Sequence, residues 1–269
     1  MTSETAAQLA AQFARYVVPT LMPVAVRVVR IAAVEPRDAV LDLGTTTGLG
    51  AFLAAAQDGR DAPVVGVDTS AAMLAVAERR SRLAGAQHVR WRVGDATGLE
   101  FAHESFDTVL SIHLLHDLAR PDEALAEVQR VLAPGGRLAL AVWGRAAQNP
   151  WAALVARAVG TAGQRLARQR PDVFSLGSPG AVEILLQHAG FVGIESERVR
   201  DKLRWRNAAD LWQWYTAWPR MGAPLRDLPA TTQTRLQKQL THRAEPYREG
   251  DGLVFPREVV YARALVPPD

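Results

Sequence analysis

The sequence predicts one doubly wound α/β domain with a seven-stranded, mostly parallel sheet, a reversed terminal strand and a helical cap. Three observations carry this. Short, nearly unbroken apolar runs alternate with amphipathic helical stretches, as expected of strands buried on both faces. A glycine-rich turn follows the first run, and Asp42, Asp68 and Asp95 fall within the first or at the ends of the next two. In the last third, two widely separated strands flank a stretch with helical patterning.

The elements follow in order. Leu9, Phe13, Tyr16 and Val17 share a face over 5–18, and Leu21, Val24, Val28 and Ile31 share one over 20–34, so two helices are expected. Pro19 and Pro23 punctuate them, and Pro36 closes the region. AVLDLG (39–44) is the first strand, TTTGLGAFLAAAQ a loop entering a helix, and VVGVD (64–68) the second strand. Ser70 is placed to cap a helix reaching Leu83. Strands at 89–95, 106–112 and 137–143 follow, with a helix from Pro121 to Leu132 between the last two. Gly135 and Gly136 turn the chain into the fifth strand. Helices are expected at 149–170, 179–189, 208–218 and 230–243, and strands at 191–199 and 253–266. The resulting division is a helical lid (1–35), a core (36–199), a cap insertion (200–252) and a returning strand with a tail (253–269).

Composition narrows the class. A chain of 269 residues, 48% hydrophobic and 22% charged, has enough apolar content to build one large core. Without cysteine there is no disulfide framework, thiolate nucleophile or Cys-ligated metal. The 31 basic residues barely exceed the 28 acidic ones, and the basic-aromatic segment RVRDKLRWR (198–206) is too small a field for a nucleic-acid footprint. No unbroken run of about 18 apolar residues suggests a membrane span. MTSETAAQLAAQF lacks the basic-then-apolar order of a secretory signal, so a cytoplasmic location is expected.

Ligands of open parallel sheets bind beyond the carboxyl ends of the strands. Gly44, Gly48 and Gly50 offer close backbone approach there, beside a helix start. Asp68 is placed to accept hydrogen bonds from ribose hydroxyls, and Asp95 one from an adenine amino group. Strand-end turns and helix capping explain the same residues taken singly, and a nicotinamide-dependent oxidoreductase uses a similar loop and acidic strand end.

Four segments in this order, VLDLGTTTGLG (40–50), VVGVDTSAAML (64–74), GDATGLEFAHESFDTVLSIHLLHDL (94–118) and EVQRVLAPGGRLALAVW (127–143), resemble class I S-adenosylmethionine-dependent methyltransferases. The resemblance is strongest to the branch with quinone-biosynthesis and natural-product enzymes, and it resumes in LLQHAGFVGIE (185–195). It implies S-adenosylmethionine as cofactor, S-adenosylhomocysteine as product and a small-molecule acceptor. Asp42, Gly44, Thr46 and Gly48 would border the methionine end, and Asp68 the ribose. Thr69 and Met73 would flank the adenosine, Asp95 and Ala96 would hold the adenine, and Ser111 would lie near the substrate entrance. Thr46 departs from the family pattern, which has a second glycine there. A β-branched residue is penalised if the turn needs positive φ, so a noncatalytic or redirected S-adenosylmethionine-binding protein is the alternative.

Methyl transfer requires alignment behind the methyl group and, for some oxygen or carbon nucleophiles, a base. His116, His113 and Tyr16 are the candidate catalytic groups, with Asp117 beside them; His116 is preferred because the family often has histidine there. Leu211, Trp214, Tyr215 and Trp218 repeat on one helical face, and Trp143 ends the fifth strand. With Phe13 and Tyr16, these aromatics either line an apolar substrate or pack the cap, and a homodimer interface is a further use of the face. The six histidines are too dispersed to suggest a metal site.

Overall fold

The computed structural model of the chain describes residues 3–57, 62–86, 88–154 and 172–268. A long helical rod opens the fold. Ser3–Gln12 (α1), a π-helical turn at Phe13–Val17 and Val18–Ala32 (α2) run on without a break. The two separate helices expected from Pro19 and Pro23 are therefore one. Pro19 falls in the first turn of α2 and Pro23 inside it. The π turn just upstream shifts the hydrogen-bond register, which lets the helix continue past Pro19's missing N–H. The rod is long and apolar enough to cross a membrane by length and composition. Its apolar face, from Leu21 through Val24 and Val28, is buried in the core, and each such side chain contributes about 1.5–3 kcal/mol.

The sheet contains Val40–Leu43 (β1), Val64–Asp68 (β2), Val89–Val93 (β3), Phe106–Ile112 (β4), Leu132–Trp143 (β5), Val192–Trp205 (β6), the short Arg248–Glu249 (β7) and Gly252–Leu265 (β8). Its order is β3-β2-β1-β4-β5-β8-β6, with β7 paired beside β8. β1 to β5 are parallel, while β8 runs antiparallel to both β5 and β6. The expected architecture thus holds, with β7 making an eighth strand. Two strands are longer than their sequence pattern suggested. β5 begins at Leu132, where a register shift opposite Phe106–Thr108 accommodates the glycine turn. β6 runs on through the basic segment, because its charged side chains lie along an edge strand.

Alternation sorts the strand residues between two cores. Val40, Val64, Leu110, Ala139 and Ala141 face the layer containing α2, Leu49–Ala55 (α3) and Ala71–Leu83 (α4). Leu41, Leu43, Val65, Val109, Leu138 and Leu140 face Pro121–Val131 (α5) and Ala181–His188 (α6). Between β6 and β8 lie Ala208–Ala217 (α7), the short Ala223–Arg226 (α8) and Ala230–Ala244 (α9). They join the first of these cores through Leu211, Trp214, Leu225, Leu236 and Leu240. The helix expected at 149–170 is present at 150–154, and the rest lies outside the described residues. Glu258, fully buried on β8, is paired with Arg145 and Arg200, which lock this end of the sheet.

Candidate functional site

One pocket opens at the carboxyl ends of β1, β2, β3 and β4. Its floor is the loop from β1 to α3, and Asp42 holds that loop in shape. The Asp42 carboxylate is buried, and its Oδ2 accepts the Thr45 hydroxyl (2.6 Å) and the Ala51 N–H (2.8 Å). Burial pushes its pKa up to about 6 against the lowering effect of those two bonds.

Gly44 and Gly50 line the pocket, and two of the loop's glycines also have packing reasons within the protein. A Cβ at Gly50 would lie 2.6 Å from Asp42 Oδ1, and one at Gly48 2.6 Å from the Trp91 ring. Close packing within the protein therefore requires them, and Gly48 also has φ +89°.

Thr46 adopts φ +50°, so the turn keeps the left-handed geometry in which glycine is most comfortable. That conformation costs a non-glycine residue about 1–2 kcal/mol. Its N–H donates to Asp68 Oδ2 (3.0 Å), and its hydroxyl to the Thr45 carbonyl (2.8 Å). Asp68 Oδ1 accepts the Ser70 N–H (2.8 Å), so one carboxylate ties the loop to the start of α4. Burial raises the Asp68 pKa, against both of these bonds. Ser70 caps α4 as expected, its Oγ accepting the Met73 N–H at 3.3 Å. Beside Asp68, after the neighbouring strand β3, Asp95 accepts the Thr97 N–H and hydroxyl, each at 2.9 Å, and these bonds lower its pKa.

Asp42, Gly44, Thr46, Asp68, Thr69, Met73, Asp95 and Ala96 all line this pocket, as do Phe13, His113 and Trp218. The wall does not include Gly48, which acts behind it, or Ser111, which is buried in β4. It also leaves out Tyr16, His116, Trp143, Trp214 and Tyr215. Trp214 is buried, edge-on to Trp151 and Trp205 at 5.2 Å each, and its indole N–H donates to Thr20 Oγ1 (2.9 Å). Most of the aromatic stripe thus packs α7 onto the rod and sheet, and only its last member reaches the pocket.

The two histidines differ from their expected behaviour. Burial pushes His116 down to about 3, which makes it a weak proton acceptor rather than a group titrating near neutrality. His113 is likewise held well below the usual histidine range, by burial first and then by His116 and Arg257. Its backbone is left-handed (φ +56°), and its ring stacks on Trp143 with centroids 4.0 Å apart.

Sequence reasoning missed Leu21, Ile112, Leu114, Leu118, Pro219 and Arg220 on the wall. Leu114 and Leu118 flank the quoted histidines and were within reach of the motif. Arg220 was not: it reaches the site because the Trp218–Arg220 strap folds back, its guanidinium donating to the Asp117 carbonyl.

Residues 41–140 match the methyltransferase domain family. The ubiquinone/menaquinone biosynthesis C-methyltransferase UbiE of Rubrivivax gelatinosus is 43% identical over 111 residues, 41% of this chain and 41% of that protein. The 2-phytyl-1,4-naphtoquinone methyltransferase of Synechococcus elongatus is 40% identical over 113 residues, 42% of this chain and 48% of its own length. The matched stretch therefore spans less than half of each of these relatives. In fold, the Haemonchus contortus phosphoethanolamine N-methyltransferase 2 in complex with S-adenosyl-L-methionine superposes with a TM-score of 0.58 at 21% identity, covering 91% of this chain and 52% of that one. Residues 41–140 thus carry the sequence pattern of a methyltransferase domain, and the sheet order and the pocket at the strand ends belong to the same fold as this solved methyltransferase structure.

Proposed function

We propose that the protein transfers a methyl group from S-adenosylmethionine to an O, N or C nucleophile of a small apolar or aromatic acceptor. The observation that carries this reading is the pocket's two-ended chemistry. Asp68 and Asp95 stand at one end, and Phe13, Leu21, Ile112 and Trp218 bring an apolar surface to the same cavity. A nucleoside with hydroxyl and amino donors fits the acidic end, and an apolar acceptor fits the other.

Asp68 would receive the ribose hydroxyls on the lone pairs left by Thr46 and Ser70, while Asp95 and Ala96 would flank the adenine. Thr69 and Met73 would border the adenosine. Gly44 and Thr46 would face the methionine end, with Asp42 and Gly48 holding their loop and Ser111 behind it. The cofactor supplies an electrophilic methyl on a sulfonium; the protein's part is alignment and exclusion of water. The rod (1–35) and the cap (200–252) serve as the lid, meeting where Phe13 packs edge-on to Trp218 at 5.5 Å. Thr46's left-handed turn keeps its N–H on Asp68, which supports cofactor binding despite the departure from glycine.

Incubation with S-[methyl-³H]adenosylmethionine and a panel of phenols, hydroquinones and aromatic amines tests the proposal. Label should pass to at least one acceptor, and Asp68→Ala should lower transfer at cofactor concentrations that just saturate the wild type. Failure across the panel by a protein that binds the cofactor would refute transfer to this acceptor class.

A further inference from the structure

The apolar end of the pocket carries polar atoms left unpaired by the described residues. His113 is 4% exposed and Trp218 7% exposed, and both are on the pocket wall. Among the described residues, neither ring nitrogen of His113 has a hydrogen-bond partner, and neither does the indole N–H of Trp218. Burying such groups unpaired is costly, and persistent examples call for a partner that the folded chain does not supply. The two rings lie edge-on with centroids 6.5 Å apart, His113 held from behind by Trp143. They come from different parts of the chain, the end of β4 and the end of α7, so no local motif requires their meeting.

We propose that His113 and Trp218 form a hydroxyl-recognising subsite, which selects uncharged acceptors bearing one O–H on an apolar ring. This deepens the methyl-transfer reading and rests on it for the identity of the bound group. A neutral imidazole offers one acceptor and one donor, and an indole N–H offers a donor only. A phenolic or enolic oxygen satisfies both, donating its proton to the His113 nitrogen and accepting from Trp218. An ammonium group would present donors to the indole donor and leave it unpaired. A carboxylate could accept from the indole N–H and from the imidazole N–H, but it would leave the imidazole acceptor unpaired and carry a full charge into a buried, apolar end of the pocket. The polar atoms are covered in this conformation, so entry requires the Trp218–Arg220 strap to give. In this scheme Trp218 positions the acceptor, and His113 touches the group beside the reacting atom.

The test uses the full chain saturated with S-adenosylhomocysteine, so that no turnover occurs, and three probes of like shape: 1-naphthol, naphthalene and 1-naphthoate. Calorimetry should give 1-naphthol an affinity about five- to tenfold above naphthalene, the worth of one or two neutral hydrogen bonds. Trp218→Phe keeps an aromatic ring against Phe13 and removes only the donor; it should lower naphthol affinity severalfold and leave naphthalene unchanged. His113→Phe should act likewise, and Trp218→Phe remains informative if the left-handed backbone makes that variant fold poorly. In ¹H–¹⁵N spectra, the Trp218 indole resonance, assigned by its loss in Trp218→Phe, should move downfield with naphthol and stay in place with naphthalene.

Equal affinity for naphthol and naphthalene, a naphthol preference undiminished by Trp218→Phe, tightest binding of naphthoate, or no probe binding to the S-adenosylhomocysteine complex would each overturn the subsite. Lack of S-adenosylhomocysteine binding would instead strike the cofactor reading. A naphthol preference abolished by Trp218→Phe in the ligand-free protein would then still support the subsite.

Discussion

Thr46 offers a quantitative test of how the cofactor loop is built. In most ordered positions alanine is at least as favourable as glycine, because glycine loses more backbone freedom on folding, by about 0.5–1 kcal/mol. At φ +50° the order should reverse. Both Thr46→Ala and Thr46→Gly remove the hydroxyl that bonds the Thr45 carbonyl, and both keep the N–H that bonds Asp68. Alanine retains the left-handed penalty of about 1–2 kcal/mol and glycine sheds it, leaving glycine ahead by roughly 1 kcal/mol after its entropy loss. Urea denaturation of the two variants reads this directly, provided their m-values agree. Since the Asp68 tie survives, Thr46→Gly should also bind S-adenosylhomocysteine at least as tightly as the wild type. Alanine equal to or more stable than glycine would mean that the turn is not left-handed, and the loop geometry derived above would fall.

Three further outcomes follow. Asp42 is raised from 3.8 to about 6 on folding, so its contribution is fully present below pH 3.8 and declines as pH rises through 6. Relative to Asp42→Asn, the wild type should lose roughly 2–2.5 kcal/mol between pH 4 and 7 in denaturant titrations, and parallel profiles would contradict the buried carboxylate. Glu258 behaves oppositely: burial alone would raise its pKa, but hydrogen bonds from Arg145 and Arg200 bring it from 4.5 down to about 2. Glu258→Gln should therefore cost roughly 3 kcal/mol at pH 7, a loss that fades as pH falls toward 2, whereas a constant difference would point to packing instead. Trp214→Ala should cost about 3–5 kcal/mol by chemical denaturation, because the ring is fully buried among other aromatics; a change under 1 kcal/mol would return Trp214 to the list of ligand-facing residues.

The sheet was legible because its strands are buried on both faces. VLDL, VVGVD and FDTVLSI read as unbroken apolar runs, and the structure places each in the sheet. The acidic strand ends were legible for the same reason, since strand direction fixes which end is which. The helical rod was misread because proline rules are local, whereas a π turn and tertiary burial let the helix continue. The aromatic stripe was ambiguous for a different cause. Periodicity shows that Trp214, Tyr215 and Trp218 share a face, but only the packing of Trp151, Trp205 and Thr20 shows what that face meets. For the histidines, spacing could not distinguish wall from interior. His113 lies on the pocket and His116 behind it because the chain turns through a left-handed residue just after β4.

Calorimetric titration of the cofactor-stripped protein with S-adenosylhomocysteine, with Asp68→Ala in parallel, tests most directly whether this pocket holds the cofactor. One site per chain in the micromolar range, weakened at least tenfold by Asp68→Ala in a variant that remains folded, is the expected result. No binding by the folded wild type, or binding that is indifferent to Asp68, would contradict it.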